Sequence, residues 1–371
     1  AQLTRSMAAT VGIMLTASHN PYDDNGIKIF DHQGYKLPDE IEEQIEEQIL
    51  SGALTSEHIR SADLGKAYRV EDARGRYIEH AKSTIGSHNL RGLKIVLDCA
   101  NGASYQVGPW MLKELGAEVV KAHAEPDGYN INNGCGALHP EVVGALVRQH
   151  GADVGIAFDG DADRVVFADA QGQVVSGDRI LAMCALDLQA RGQLKRDTLV
   201  VTSMSNLGLR EAMARSGIRI VTTRVGDRHV IEEMRANGYN LGGENCGHVI
   251  FLDHATTGDG IVTALQVLKL MKESGKPLAE LAGCMTEYPH SLASLAVVAK
   301  PPLEDLPLLQ AVLGDFQDAL DGNGRALVRY SGTESKIRLM VEAADTRTVE
   351  AWMAKLKSAL QDEGILSESV T

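Results

Sequence analysis

Three aspartates alternate in "DGDADR", Asp159 to Arg164, directly after the strand-like run "DVGIAF". Carboxylates at alternate positions can converge on one cation when the backbone is extended and curved, and all-oxygen ligation suits Mg²⁺. A calcium loop of the EF-hand type would place Gly sixth and Glu twelfth, where this chain has Arg164 and Ala170. An acidic surface turn is the plainer alternative. Arg164 beside a bound cation would suit an anion held jointly by metal and guanidinium.

Three further loops carry polar chemistry. "TASHNP", Thr16 to Pro21, sets Ser18, His19 and Asn20 in a row, a composition that also marks an ordinary chain reversal. No Gly-x-Ser-x-Gly elbow surrounds Ser18, so a hydrolase triad finds little support. "RYSGTESKIR", Arg329 to Arg338, places Ser331, Gly332 and Thr333 between two arginines, either as a nest for a phosphate or as a hairpin turn. "GGENCGH" offers Glu244, Asn245, Cys246 and His248, groups able to bond sugar hydroxyls. In "TTGDG", Thr257 or Asp259 reads as the N-cap of the helix that follows rather than as a ligand.

The elements that must position these loops alternate in kind. "KIVLDC", a small-residue loop, "YQVGPWMLKELGA" and "EVVKAHA" are matched by "TLVVTS", a second loop, "LREAMARSG" and "IRIVTT". Both stretches run strand, loop, helix, Gly corner, strand, a weak structural repeat that predicts α/β domains with largely parallel sheets. In such sheets ligands bind beyond the carboxyl ends of the strands. After Pro289 the pattern changes to a strand, a helix-like segment, the strands "RALVRY" and "KIRLMVEA", and a helix carrying Val349, Trp352, Leu356 and Leu360, which together predict a small α+β domain. "DEIEEQIEEQIL" spaces Ile41, Ile45 and Ile49 by four, an amphipathic surface helix whose acids form a solvated face.

Composition narrows the function classes. A formal net charge of −14 argues against a nucleic-acid coat or an anionic-membrane binder, while leaving room for a local basic pocket. The five cysteines show no CxxC spacing, which favours reduced thiols and a cytoplasmic location over a disulfide framework. No apolar run reaches the roughly 18 residues of a membrane span.

Four loops with complementary chemistries, in this order, resemble the α-D-phosphohexomutases. The wording "TASHNPYDDNGIKIF", "IAFDGDADR", "GGENCGHVIFLDHATTGDG" and "RYSGTESKIRLMVE" carries the resemblance, which runs through essentially the whole chain. It implies a multi-domain α/β fold of repeated domains with mixed sheets plus a C-terminal α+β domain. The expected boundaries are 1–86 for what remains of the first α/β domain, 87–183 and 184–288 for the second and third, and 289–371 for the C-terminal domain. It further implies that Ser18 is a phosphoserine, that Asp159, Asp161 and Asp163 hold Mg²⁺ with the serine phosphate as fourth ligand, and that His19 and Lys28 move protons. Arg164 would contact the phosphoserine region, Glu244, Asn245, Cys246 and His248 would bind the sugar, and Arg329, Ser331, Gly332, Thr333 and Arg338 would hold the phosphate that is not transferred. The implied reaction is reversible conversion of glucosamine 6-phosphate to glucosamine 1-phosphate through a hexose 1,6-bisphosphate, supplying amino-sugar precursors of the cell envelope. Glucose or mannose phosphates are the alternative substrates, and a non-catalytic sugar-phosphate-binding protein is the alternative of another class. The expected partner is a phosphosugar, not nucleic acid or membrane, with room for a homodimer.

Three positions depart from the family pattern. Cys246 replaces a usual serine in the sugar loop, Ala162 a usual glycine in the metal loop, and Ser335 a usual proline after "SGTE". The alanine matters if its position needs a positive φ. The family also carries about half a domain before the serine loop, so the chain is expected to lack the first strands of its first domain. It would then expose apolar surface there and be less stable and active than the complete protein.

Overall fold

The computed structural model describes residues 1–52, 54, 60–331 and 334–367. The chain divides into two compact units, Ala1–Ser205 with Met213–Cys284, and Asn206–Ala212 with Met285–Thr371.

In the first unit, β1 (Val11–Thr16) and β2 (Gly26–Asp31) form an antiparallel pair in which Met14 faces Lys28. The alternation of β1 turns Val11, Ile13 and Leu15 to solvent, so this pair carries an exposed apolar face. Five strands build the next sheet: β3 (Lys94–Asp98), β4 (Glu118–Ala122), β5 (Val154–Phe158), β6 (Val165–Asp169) and β7 (Val174–Val175), in the order β4-β3-β5-β6-β7. β3 pairs in parallel with β4 and β5, whereas β6 is antiparallel to both β5 and β7, giving the mixed sheet that was expected. Every residue of β5 and β6 is buried, as the continuous apolar runs of a sheet covered on both faces require. The third sheet orders β8 (Thr198–Thr202), β9 (Arg219–Thr223), β10 (Leu241–Gly243) and β11 (Val249–Phe251) as β11-β10-β8-β9.

The repeat read from sequence is present in the backbone. β3 and β4 are joined through helix Ser104–Glu114, and β8 and β9 through helix Leu207–Arg215. Each helix is followed by a left-handed glycine, Gly116 at φ +91° and Gly217 at φ +71°, which turns the chain into the second strand. Asp259 caps helix Gly260–Ser274 by accepting from Val262 N at 2.9 Å, the role expected in "TTGDG".

The acidic helix Asp39–Leu50 buries none of its residues, in keeping with a surface helix. Its first turn is not simply solvated, however, because Arg228 pairs with Asp39 and Glu42. A charge 186 residues away could not be read from the local spacing.

The second unit is a three-stranded antiparallel sheet of β12 (His290–Ala296), β13 (Gly324–Tyr330) and β14 (Lys336–Ala343) in the order β12-β14-β13. Helices Pro307–Leu320 and Thr346–Asp362 contribute to its core, in which Phe316 and Trp352 meet edge to face and Leu356 and Leu360 pack with Ile337, Leu339 and Val341. The α+β character expected of the C-terminal region is therefore observed.

One close approach fixes the loops that matter for chemistry. Gly102, after β3, packs against Gly160, after β5, so tightly that a Cβ at Gly102 would lie 2.2 Å from Gly160 O. The Ala103 amide donates to the same carbonyl at 2.7 Å. Gly102→Ala is expected to force the two loops apart and cost about 1–3 kcal/mol. Chemical denaturation would measure this, and unchanged stability would show that the loops can separate freely.

Candidate active site

The metal loop leaves the carboxyl end of β5, and the sugar loop leaves that of β10, the end at which ligands were expected. Residues 159–164 then return into β6. Two internal bonds shape the turn: Ala162 N donates to Asp159 O at 3.0 Å, and Arg164 N to Asp159 Oδ1 at 3.1 Å. Ligand oxygens of Asp159, Asp161 and Asp163 all lie within 4.8 Å of one another.

These carboxylates are only partly satisfied. Lys28 Nζ donates to Asp161 Oδ2 at 2.7 Å and to Asp163 Oδ2 at 3.1 Å. The opposite oxygens, Asp161 Oδ1 and Asp163 Oδ1, are buried without a hydrogen-bond partner among the described residues, as is Asp159 Oδ2. Buried carboxylate oxygens without hydrogen-bond donors are costly, and a cluster of three such carboxylates suits a hard cation. Burial, followed by the charges of Asp163 and Asp161, pushes the Asp159 carboxyl up to about 7. Asp163 moves the other way: burial is overcome by His248 and Lys28, which hold it well below the usual carboxylate range. On Lys28 burial opposes the charge, but Asp163 and Asp161 outweigh it and raise the ammonium pKa.

The serine loop joins this cluster through Thr16, whose hydroxyl accepts from Ser18 N at 2.8 Å and donates to Asp161 Oδ2 at 3.1 Å. Ser18 has φ +53°, a left-handed conformation that a non-glycine residue holds only when its surroundings enforce it. Ser18 Oγ lies 3.4 Å from His19 Nδ1. Burial, then the charge of Arg164, lowers the His19 pKa. A pocket of about 400 Å³ opens here, lined by Thr16, Ser18, Asn20, Asp24, Asn25 and Lys28. A more apolar cavity of about 490 Å³ has Lys28, Asp161 and Asp163 in its wall beside Phe30, Tyr77 and Val107.

The sugar loop also touches the metal loop. His248, buried, lies with Nδ1 3.5 Å from Asp163 and Nε2 3.5 Å from Asp227. Burial works against its charge, yet Asp163 and Asp227 raise its pKa. Asp227 is itself paired with Lys36, so the charges alternate outward from the metal loop. Glu244 Oε1 accepts from Gly226 N at 3.1 Å, and Cys246 is exposed with its Sγ 4.0 Å from Glu244 Oε2. The Asn245 backbone packs against Gly177. The first unit thus brings together Ser18, His19, Lys28, the three aspartates, Arg164 and His248. The reading of single motifs missed Thr16, Lys36, Asn132 and Asp227. Thr16 sat inside a quoted motif, but no local signal marked the other three.

The phosphate loop belongs to the second unit. Gly332 and Thr333 lie outside the described residues. Ser331 is buried, and its carbonyl accepts from Lys300 Nζ at 2.8 Å. Arg329 and Arg338 are direct partners across β13 and β14, a like-charge pairing that is unfavourable unless an anion offsets it. Glu334 supplies part of that offset, bonding Arg338 at 3.0 Å and pairing with Lys336.

Comparison with known proteins matches the chain to four family models in order. They are the α/β/α domains I, II and III of phosphoglucomutase/phosphomannomutase at residues 1–55, 75–172 and 176–288, and the C-terminal domain at residues 292–359. A phosphoglucosamine mutase of Geotalea daltonii is 51% identical over 97% of this chain and 80% of its own length. One of Myxococcus xanthus is 50% identical over 96% of this chain and 78% of its own length. Among solved structures, a phosphoglucomutase/phosphomannomutase family protein of Burkholderia thailandensis superimposes with a TM-score of 0.77 at 24% identity, covering 95% of this chain and 76% of that one. N-acetylphosphoglucosamine mutase of Aspergillus fumigatus, solved with GlcNAc-6P and magnesium, gives 0.71 at 22% identity over 98% of this chain and 92% of that one. Both likenesses are of fold.

Ala162, at the tip of the metal loop, has φ +60°, so the position does require the left-handed conformation. That conformation costs an alanine about 1–2 kcal/mol, more than the roughly 0.4–1 kcal/mol by which a glycine loosens the unfolded chain. Ala162→Gly is therefore expected to stabilise the protein by about 0.5 kcal/mol, read as a higher denaturation midpoint, whereas a lower midpoint would mean that the methyl packs favourably.

Proposed function

The chain belongs to the phosphoglucomutase/phosphomannomutase family, and from that membership we propose that it interconverts glucosamine 6-phosphate and glucosamine 1-phosphate by phosphoryl transfer through Ser18. The observation that carries the chemistry is Ser18 in a strained loop tied through Thr16 to Asp161, one of three clustered carboxylates each with a buried oxygen that has no hydrogen-bond partner among the described residues. The choice of an amino sugar rests on the relatives of about half identical sequence.

Asp159, Asp161 and Asp163 would hold Mg²⁺, which the donor set fits: three hard, buried oxygens with no soft ligand clustered with them among the described residues. A cation bound there neutralises charge on the transferring group. In the forward step the substrate's free hydroxyl attacks the phosphorus of phosphoserine 18, and the bond from phosphorus to Ser18 Oγ breaks. A hexose 1,6-bisphosphate results, and Ser18 attacks its other phosphate to regenerate the phosphoenzyme. His19 Nδ1, close to Ser18 Oγ and with a lowered pKa, takes the substrate hydroxyl's proton in the first step and delivers it to the departing Ser18 Oγ. In the second step it takes the serine proton and delivers it to the departing sugar oxygen. Lys28, held charged between two aspartates, acts as a fixed positive charge rather than as a base. Arg164, whose buried Nε has no partner among the described residues, binds the phosphoryl group. Glu244, Asn245, Cys246 and His248 recognise sugar hydroxyls, and Arg329, Ser331, Gly332, Thr333 and Arg338 recognise a substrate phosphate.

³¹P NMR of the protein with Mg²⁺, a trace of glucose 1,6-bisphosphate and separately glucosamine, glucose or mannose 6-phosphate tests this reading. Glucosamine 1-phosphate should appear fastest, and Ser18→Ala should lower the rate by about 10³-fold or more. Preference for glucose or mannose would move the substrate assignment, and silence of the wild type with all three would overturn the mutase reading. Asp161→Asn should weaken Mg²⁺ binding by calorimetry about tenfold or more, since it removes one charge from an all-carboxylate set. Unchanged affinity would place the cation elsewhere.

A further inference from the structure

Asn132 is buried, belongs to no motif considered above, and reaches the reactive loop from the long connection between β4 and β5. Its Nδ2 donates to Ser18 O at 3.0 Å and to Asn20 O at 2.8 Å, so both amide hydrogens are spent on the two carbonyls that flank His19. A side-chain amide can make this pair of donations, whereas the isosteric carboxylate of aspartate would place negative oxygens against both carbonyls. Ser18 lies between the tie from Thr16 on its own N–H and the tie from Asn132 on its own C=O. Its left-handed φ of +53° is thus constrained from both sides of the residue.

The support for Asn132 is equally constrained. Its backbone N–H donates to Ala100 O at 2.9 Å, and it has φ +58°. Ala100, Asn101, His123 and Gly136 also have positive φ, and Ala100, His123 and Gly136 bond the buried carboxylate of Asp98. Asp98 accepts from Ala100 N at 2.9 Å, Gly136 N at 3.0 Å and His123 Nδ1 at 2.9 Å. Asp98, His123 and Cys135 have ligand atoms close enough for a metal, but the Asp98 carboxylate is taken up by three donors. The cluster therefore works as an anchor of the backbone. Gly160 of the metal loop closes on the same junction: a Cβ there would lie 2.4 Å from Ser18 O and 2.8 Å from Asn132 Nδ2.

We propose that Asn132, anchored by the Asp98 cluster, is a positioning residue that fixes the backbone of Ser18 against the metal loop and so sets the distance across which phosphoryl transfer occurs. The catalytic part of this inference rests on the phosphoserine reading; the loop-holding part does not. A displaced serine costs turnover more than binding, because misplacement by about 1 Å can cost about 10²-fold in rate.

The test compares wild type, Asn132→Ala and Asn132→Asp as full chains by amide hydrogen exchange and by steady-state kinetics with glucosamine 6-phosphate. Peptides covering residues 15–22 should exchange about tenfold faster in both variants, a loss of about 1.4 kcal/mol of local protection, while those covering β3 stay unchanged. kcat should fall about 10²-fold with KM within about threefold. An unaltered serine loop in Asn132→Asp, or kcat within about threefold of wild type, overturns the proposal. Faster exchange across β3 in both variants also overturns it, because Asn132 would then hold the domain rather than the loop. A loosened loop in the variants beside an inactive wild type would sink the mutase reading and leave the loop-holding role standing.

Discussion

Three carboxylates drawn largely out of water on one six-residue turn are the constraint around which the first unit is arranged. In water Asp159, Asp161 and Asp163 would cost little, but out of it each needs a donor or a cation. The fold answers with groups from distant parts of the chain. Lys28 comes from β2, Thr16 from the end of β1, His248 from the loop before β11, and the Arg164 amide from the turn itself. Lys28 and Thr16 thereby tie the serine loop to the metal loop, so the electrostatic need of one loop is also the means of placing the other.

A second constraint is backbone strain. Ser18, Ala100, Asn101, His123, Asn132 and Ala162 all take left-handed conformations without being glycine. Side chains constrain three of them: Thr16 and Asn132 bond the backbone on either side of Ser18, and Asp98 accepts from Ala100 N and His123 Nδ1. Parallel strands make this economical, because loops leaving β3 and β5 start side by side and need little chain to meet.

Much of this was legible in the residues. "DGDADR" marked three carboxylates that the fold does bring together, the alternating apolar runs declared α/β repeats though with more parallel pairing than the mixed second sheet has, and the helical spacing of Val349, Trp352, Leu356 and Leu360 declared the helix that packs in the C-terminal core. Ligand type and element period are local properties, carried by neighbours a few residues apart, and so one sequence determined them. The tertiary structure alone decided which groups compensate the charges and which hold the strain. Nothing near Lys28 announces partners 133 and 135 residues away, and nothing in "NINNG" announces that Asn132 reaches back 114 residues to Ser18. Likewise the weight of Ala162 turned on a φ that only the folded backbone sets. Such facts are set by where strands end in space and how closely loops approach, and distance in space leaves no trace in the spacing along a chain.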